Sequence, residues 1–254
     1  MTRSRLIALS VLAVVAIAVG GFIAYDQVLR GDSVAALSLP AATPAAAATN
    51  DKTGSEAPAS ATAATSGAPV SATGVAGTWN VATGSQAGYR VRERLANLSA
   101  ESDAVGRTEN VTGSITVEAN GDGARLTGGT LTVDTTTITS DENRRDNRLR
   151  SEGLQTDQYP TATFTVTQPV DVPAAALAGT ASNITLTGDL TLHGVTKSVQ
   201  IPAQAQLVGD TMQVAGSLAF PLSDYEITPP NVGGFILSIS DQGILEFLVS
   251  FSKG

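Results

Sequence analysis

The stretch NITLTGDLTLHGVTKSVQI, residues 183–201, decides the fold. Ile184, Leu186, Gly188, Leu190 and Leu192 fall on one side of it, while Thr185, Thr187, Asp189, Thr191 and His193 fall on the other. A period of two over that length is the mark of a half-buried strand in an antiparallel sheet. The pattern returns in Val199, Ile201, Ala203, Ala205 and Leu207, in Met212, Val214, Gly216, Leu218 and Phe220, and in Leu245, Phe247, Val249 and Phe251. Working outward, 78–83, 89–95, 111–118, 125–139 and 162–168 read as further strands. In 125–139 the apolar phase slips between Leu126 and Leu131, across Gly128-Gly129, which predicts a β-bulge. About eight such strands with few helices predict an all-β, antiparallel, eight-stranded barrel, because closure removes the sheet's edges. Residues 140–152 are polar and rich in arginine and predict one short helix, with Ser140 as its cap. Residues 222–243, with Pro229-Pro230 and Gly233-Gly234, predict an irregular connection that is either a rim loop or lid, or a loop without a role.

The barrel occupies 77–254. Before it, 1–5 is short and basic, with Arg3 and Arg5, and 6–24 runs LIALSVLAVVAIAVGGFIA without a charge. That length suits a membrane-spanning helix of about 20 residues better than the shorter core of a cleaved signal. The preceding arginines orient it with the barrel outside the cell or in the periplasm. Secretion after signal cleavage is the alternative. Residues 25–76 are dominated by Ala, Thr, Ser, Pro and Gly, hold few large apolar side chains, and predict a disordered stalk.

Arg3, Arg5, Arg30 and Lys52 balance Asp26, Asp32, Asp51 and Glu56, so the net charge of −8 belongs to the barrel. An acidic domain repels phosphate backbones, which argues against nucleic acid as a partner. The chain has no cysteine and one histidine, which excludes disulfides, thiolate chemistry and multi-histidine metal sites. His193 lacks a visible catalytic partner, and the reading is a turn or strand-end histidine bonded to backbone, not an enzyme. Asp141, Glu142 and Asp146 lie among Arg144, Arg145 and Arg148, which suits a solvated helix face better than a metal site.

Three segments carry a resemblance. GDLTLHGVTKSV (188–199), RRDNRLRSEGLQTDQYPTATF (144–164) and TWNVATGSQAGYRVRE (78–93) resemble, in order and spacing, elements of the YceI-like, lipocalin-like, polyisoprenoid-binding family. The chain departs from that family in having Arg148 where a histidine is frequent, and Gly153-Leu154 where a phenylalanine pair is frequent. The resemblance implies a barrel that holds an isoprenoid or another apolar lipid and needs no cofactor. Interior residues expected to touch it are Trp79, Leu131, Phe164, Leu190, Leu192, Met212, Leu218 and Phe247. Arg145 and Arg148 could meet a head group at the barrel mouth, since guanidinium suits phosphate. The alternative is a solid barrel that serves as a non-catalytic interaction module of the cell envelope. A homodimer is left open.

Overall fold

The computed structural model describes residues 34–40, 72–95, 101–229 and 236–254. Among the described residues eleven strands form one antiparallel sheet: β1 (Gly77–Val81), β2 (Gln86–Leu95), β3 (Glu101–Thr108), β4 (Val111–Asn120), β5 (Gly123–Asp134), β6 (Thr161–Val166), β7 (Val170–Val172), β8 (Ser182–Leu192), β9 (Val195–Val208), β10 (Thr211–Pro221) and β11 (Ile236–Lys253). They make eight staves. β1 and β2 both pair with β11 and form one interrupted stave, from Trp79↔Lys253 to Ile236↔Leu95. β3 and β4 follow them as the second, and β6 and β7 share the flank of β5. The order is a plain meander, and β11 closes it onto the first stave. At the break between β1 and β2 the Ser85 hydroxyl donates to Ala82 O (2.7 Å) and accepts from Ser250 N–H (3.0 Å), so the pairing carries across the gap.

Alternation explains the interior. Ile184, Leu186, Leu190 and Leu192 of β8 are buried, as are Ile201, Ala203, Ala205 and Leu207 of β9. One end of the barrel is plugged. Trp79 is buried there, and its indole N–H donates to Val75 O (2.8 Å) in a helical turn, Ala72–Val75. A second turn, Ala174–Leu177, buries Ala176 and Leu177 against the same core.

The predicted bulge is present: Thr116 pairs with Gly128 and Val117 with Leu126, which leaves Thr127 as the extra residue. Elsewhere the structure corrects the sequence reading. The strand expected over 125–139 ends at Asp134, whose carboxylate accepts from the Thr136 N–H (2.9 Å) and hydroxyl (2.6 Å) and starts the tight turn Thr135–Thr137. β3 was not foreseen, because its inward positions Ser102, Ala104, Gly106 and Thr108 carry no large apolar side chain. The helix is Asn143–Arg148, capped by Glu142 rather than Ser140 and continued by a wider turn, Leu149–Gly153. Ser140 instead uses its N–H (2.9 Å) and hydroxyl (2.6 Å) on buried Asp146. Much of the predicted irregular stretch 222–243 is regular: a tight turn, Leu222–Tyr225, follows β10, and β11 starts at Ile236 with extra residues between Ile239 and Gly243.

Of the stretch 25–76, residues 25–33 and 41–71 lie outside the described residues, and the rest carries structure. Residues 34–40 lie on the barrel's outer wall, with Leu39 buried, and Ala72–Val75 is helical. The expected span 6–24 falls outside the described residues, among which no helix is long and apolar enough to cross a membrane.

The two bulge glycines differ. At Gly129 φ is +153° and an added Cβ would sit 2.6 Å from Ser114 O, whereas at Gly128 it would meet nothing within 4 Å. Gly129→Ala is therefore expected to lower unfolding free energy by roughly 2–4 kcal/mol. Gly128→Ala should be neutral or stabilise by up to about 1 kcal/mol. Urea denaturation of the pair checks both, and equal effects would contradict the bulge geometry.

Candidate ligand cavity

Away from the Trp79 plug the inward side chains no longer fill the barrel. A cavity of about 550 Å³ opens there, within the roughly 300–1,000 Å³ usual for small-molecule sites. Its wall is aliphatic and aromatic. β2 and β3 contribute small residues, Ala87 and Ala104, and β6 contributes Ala162 beside Phe164. Leu190, Leu192, Ile201, Phe220, Leu245 and Phe247 supply the larger side chains. Leu222, Ile227 and Pro229 bring the segment after β10 onto the same wall, which places it as a rim loop.

The helix Asn143–Arg148 brings charge to this apolar space. Glu93, Asp141 and Glu142 face Arg144, Arg145 and Arg148 among the lining residues, so the rim is close to neutral. Arg145 Nη2 donates to Glu93 Oε1 (2.7 Å), and its Nη1 donates to Asp141 and to Ser140 Oγ (3.3 Å). Burial works against its charge, but Glu93 and Asp141 outweigh that and hold it above the ordinary guanidinium range. Glu93 is only 4% exposed, so Arg145 is what makes a carboxylate tolerable there. Two polar atoms in the lining residues are left over: the buried Arg145 Nε–H and the buried Tyr89 hydroxyl have no hydrogen-bond partner among the described residues. Burial pushes the Tyr89 hydroxyl up to about 12; Arg145 opposes the shift, and Asp146, Glu93 and Asp141 add to it.

Of the residues singled out from sequence, Leu131, Phe164, Leu190, Leu192 and Phe247 line the cavity, and Arg145 and Arg148 stand at its rim. Met212 instead lines a separate void of about 40 Å³ towards the plugged end. Trp79 lines neither space; its indole is committed to Val75 and fills the barrel's closed end. Leu218 packs on the core opposite Leu245 without reaching either space. Sequence reasoning missed Ala87, Tyr89, Val91 and Glu93 on β2. The available signal was Arg90, Arg92 and Arg94 in strict alternation, which turns Tyr89, Val91 and Glu93 inward. His193 lies in the tight β8–β9 turn with φ +50°. Its Nδ1 is 3.0 Å from Tyr225 O, its Nε2 is 3.3 Å from Gln155 Oε1, and its ring meets Tyr159 edge-on at 4.6 Å.

A family model, the YceI-like domain, matches residues 79–251. Among relatives, Protein YceI of Escherichia coli O6:H1 is 39% identical over 80 residues, covering 31% of this chain and 37% of that protein. A UPF0312 protein of Vibrio campbellii is 35% identical over 104 residues, covering 38% of this chain and 51% of that protein. The chain thus spans about half or less of the length of these relatives. A polyisoprenoid binding domain from Saccharophagus degradans, implicated in plant cell wall breakdown, superposes with a TM-score of 0.52 at 19% identity, covering 70% of this chain and 99% of that one. BcnA of Burkholderia cenocepacia gives a TM-score of 0.50 at 16% identity, covering 65% and 95%. At those identities the structural likeness establishes the shared fold.

Tyr89→Phe removes a buried hydroxyl that bonds to nothing in the protein, so ligand-free stability should stay level or rise by about 1 kcal/mol. The raised Tyr89 pKa favours the neutral phenol in the folded state. Its contribution is complete below the ordinary tyrosine value near 10 and is lost as pH climbs through about 12. Unfolding measured from pH 9 to 12 should therefore fall less steeply for Tyr89→Phe than for the parent, and parallel curves would contradict the assignment.

Proposed function

The chain belongs to the YceI-like domain family, and on that premise we propose that it binds a polyisoprenoid or a related lipid inside the barrel, outside the cytoplasmic membrane. One observation carries the reading: an apolar cavity of about 550 Å³ is lined by two residues with buried donors, Tyr89 Oη–H and Arg145 Nε–H, that have no hydrogen-bond partner among the described residues. Native structures rarely leave such groups orphaned without a purpose. The apolar tail of the ligand occupies the space between Leu131, Phe164, Leu190, Leu192 and Phe247, and each buried methylene contributes about 0.8 kcal/mol. Its head group offers an oxygen to Tyr89 and Arg145, with Arg148 at the rim. No step in this function breaks a covalent bond; it is binding, and with the predicted span 6–24 it is binding beside a bilayer.

Native mass spectrometry of the chain from Asp32 onward, followed by organic extraction, tests the reading. The expected result is a stoichiometric increment that extracts as an isoprenoid lipid. A bare mass after incubation with isoprenoid quinones and prenyl phosphates would favour the non-binding module of the envelope. Ala162→Trp, which pushes a large ring into the cavity, should lower lipid affinity at least tenfold while circular dichroism stays that of a barrel. Tyr89→Phe should weaken an oxygen-bearing isoprenoid by about 1 kcal/mol, roughly fivefold, and leave a plain hydrocarbon of equal length unaffected.

A further inference from the structure

The outer wall of β2, β3 and β11 carries a feature that lipid binding does not use. Leu245 and Phe247 point into the cavity, so Glu246 between them points outward, yet it is only 2% exposed. Arg107 donates to its Oε1 from Nη2 (2.7 Å) and Nε (3.1 Å), and Arg90 Nη2 lies 3.5 Å from its Oε2. Arg90 Nη1 is held by Asp103 (3.0 Å). The same two guanidiniums then reach away from the sheet. Arg90 Nη2 donates to Val34 O (2.7 Å) and Arg107 Nη2 donates to Ala35 O. Four residues on, Leu39 is buried. Val105, another outward residue of β3, is also buried. Residues 34–40 are thus held at two points by arginines that are themselves fixed by a buried carboxylate, and at a third by an apolar side chain.

We propose that residues 34–40 are a strap whose seating on the outer wall sets how far the barrel stands from the membrane. This rests on the reading of 6–24 as the membrane span. Seated, the strap leaves only residues 25–33 between span and barrel, a reach of about 35 Å even when fully extended. Unseated, the link runs to Gly77, and its limit rises to about 180 Å. The seat lies beside the cavity: Arg90 is flanked by Tyr89 and Val91, and Arg107 pairs with Thr139 just before the rim helix. A seated strap therefore keeps the cavity's own wall close to the bilayer, where an apolar ligand partitions.

The chain has no cysteine, so single thiols can be introduced cleanly. In the full chain reconstituted in lipid nanodiscs, alkylation of Leu39→Cys should run at least tenfold slower than that of exposed Ala36→Cys; equal rates would show that the strap has no seat. Leu39→Asp changes a strap residue and no residue of the barrel's strands, and the barrel's melting temperature serves as the control. With a donor dye at Asp157→Cys and acceptor lipids in the disc, energy transfer should be high in the parent and fall at least twofold on adding Leu39→Asp, with Leu39→Met restoring it. Slow alkylation with unchanged transfer would overturn the leash while leaving the strap's seat. A chain that fails to enter discs would overturn the anchor reading, and the alkylation contrast would still report on the seat separately.

Discussion

Closure through β11 is the constraint on which the rest depends. That strand pairs from Gln242 to Ser252 with β10 on one side and with β1 and then β2 on the other, so the sheet has no continuous free edge. Once eight staves are closed, the interior radius is set by strand number and stagger and no longer by the side chains inside. Side-chain volume then decides only whether that interior is solid. Trp79, Met212 and Phe251 crowd one end, leaving a void of only about 40 Å³, and the plug between Trp79 and Val75 seals it. At the other end Ala87, Ala104 and Ala162 stand where a filled barrel would carry larger residues, and the same closed sheet encloses space.

That space is apolar enough to make every polar group near it matter. Glu93 is buried and held by Arg145; Arg145 is held in turn by Asp141 and Ser140; and Ser140 is fixed by buried Asp146. That chain of contacts fixes the guanidinium while its Nε–H, like the buried Tyr89 hydroxyl, has no partner among the described residues. Leaving two donors unsatisfied opposes stability. The rest of the barrel tolerates it, and a ligand oxygen would remove the penalty. The arrangement therefore favours a ligand with a long apolar body and one polar end, rather than a purely hydrocarbon one.

The fold was legible because its signal is redundant. Period-two alternation in β8 to β11 fixes antiparallel strands, the phase slip at Gly128-Gly129 marks the bulge, and the number of strands favours closure. The cavity was legible only in part. Leu131, Phe164, Leu190, Leu192 and Phe247 are inward by alternation alone, but so is Met212, and nothing local says which inward residues face space and which face one another. That depends on height along the barrel, which follows from register and stagger. Trp79 shows the limit most clearly: its size suggests a ligand contact, yet its indole N–H needs an acceptor, and Val75 supplies one at the plugged end. β3 was illegible for the opposite reason. Its inward Ala104 and Gly106 are small because the cavity and Tyr89 take the room, and small residues carry almost no hydrophobic signal.

Composition also misleads for residues 34–40, which were read within the stretch 25–76. Averaged over the segment, it lacks the apolar surface needed for order, and Leu37 and Leu39 vanish in the mean. Order in 34–40 does not come from its own composition, however; it comes from a prepared surface. Strand β2 makes both faces of that arrangement. Its inward row, Tyr89 and Glu93, belongs to the cavity, and its outward row, Arg90 and Arg92, belongs to an ion-pair network with Asp103 and Glu246. A carboxylate buried on the outside of a barrel is not needed to close the sheet, since closure is a main-chain matter. It is needed to hold Arg90 and Arg107 rigid, and rigid guanidiniums can hold backbone carbonyls with little loss of side-chain entropy. Alternation on a single strand thus places cavity-lining Tyr89 and Arg90, which holds the backbone of Val34, one residue apart on opposite faces of the same wall.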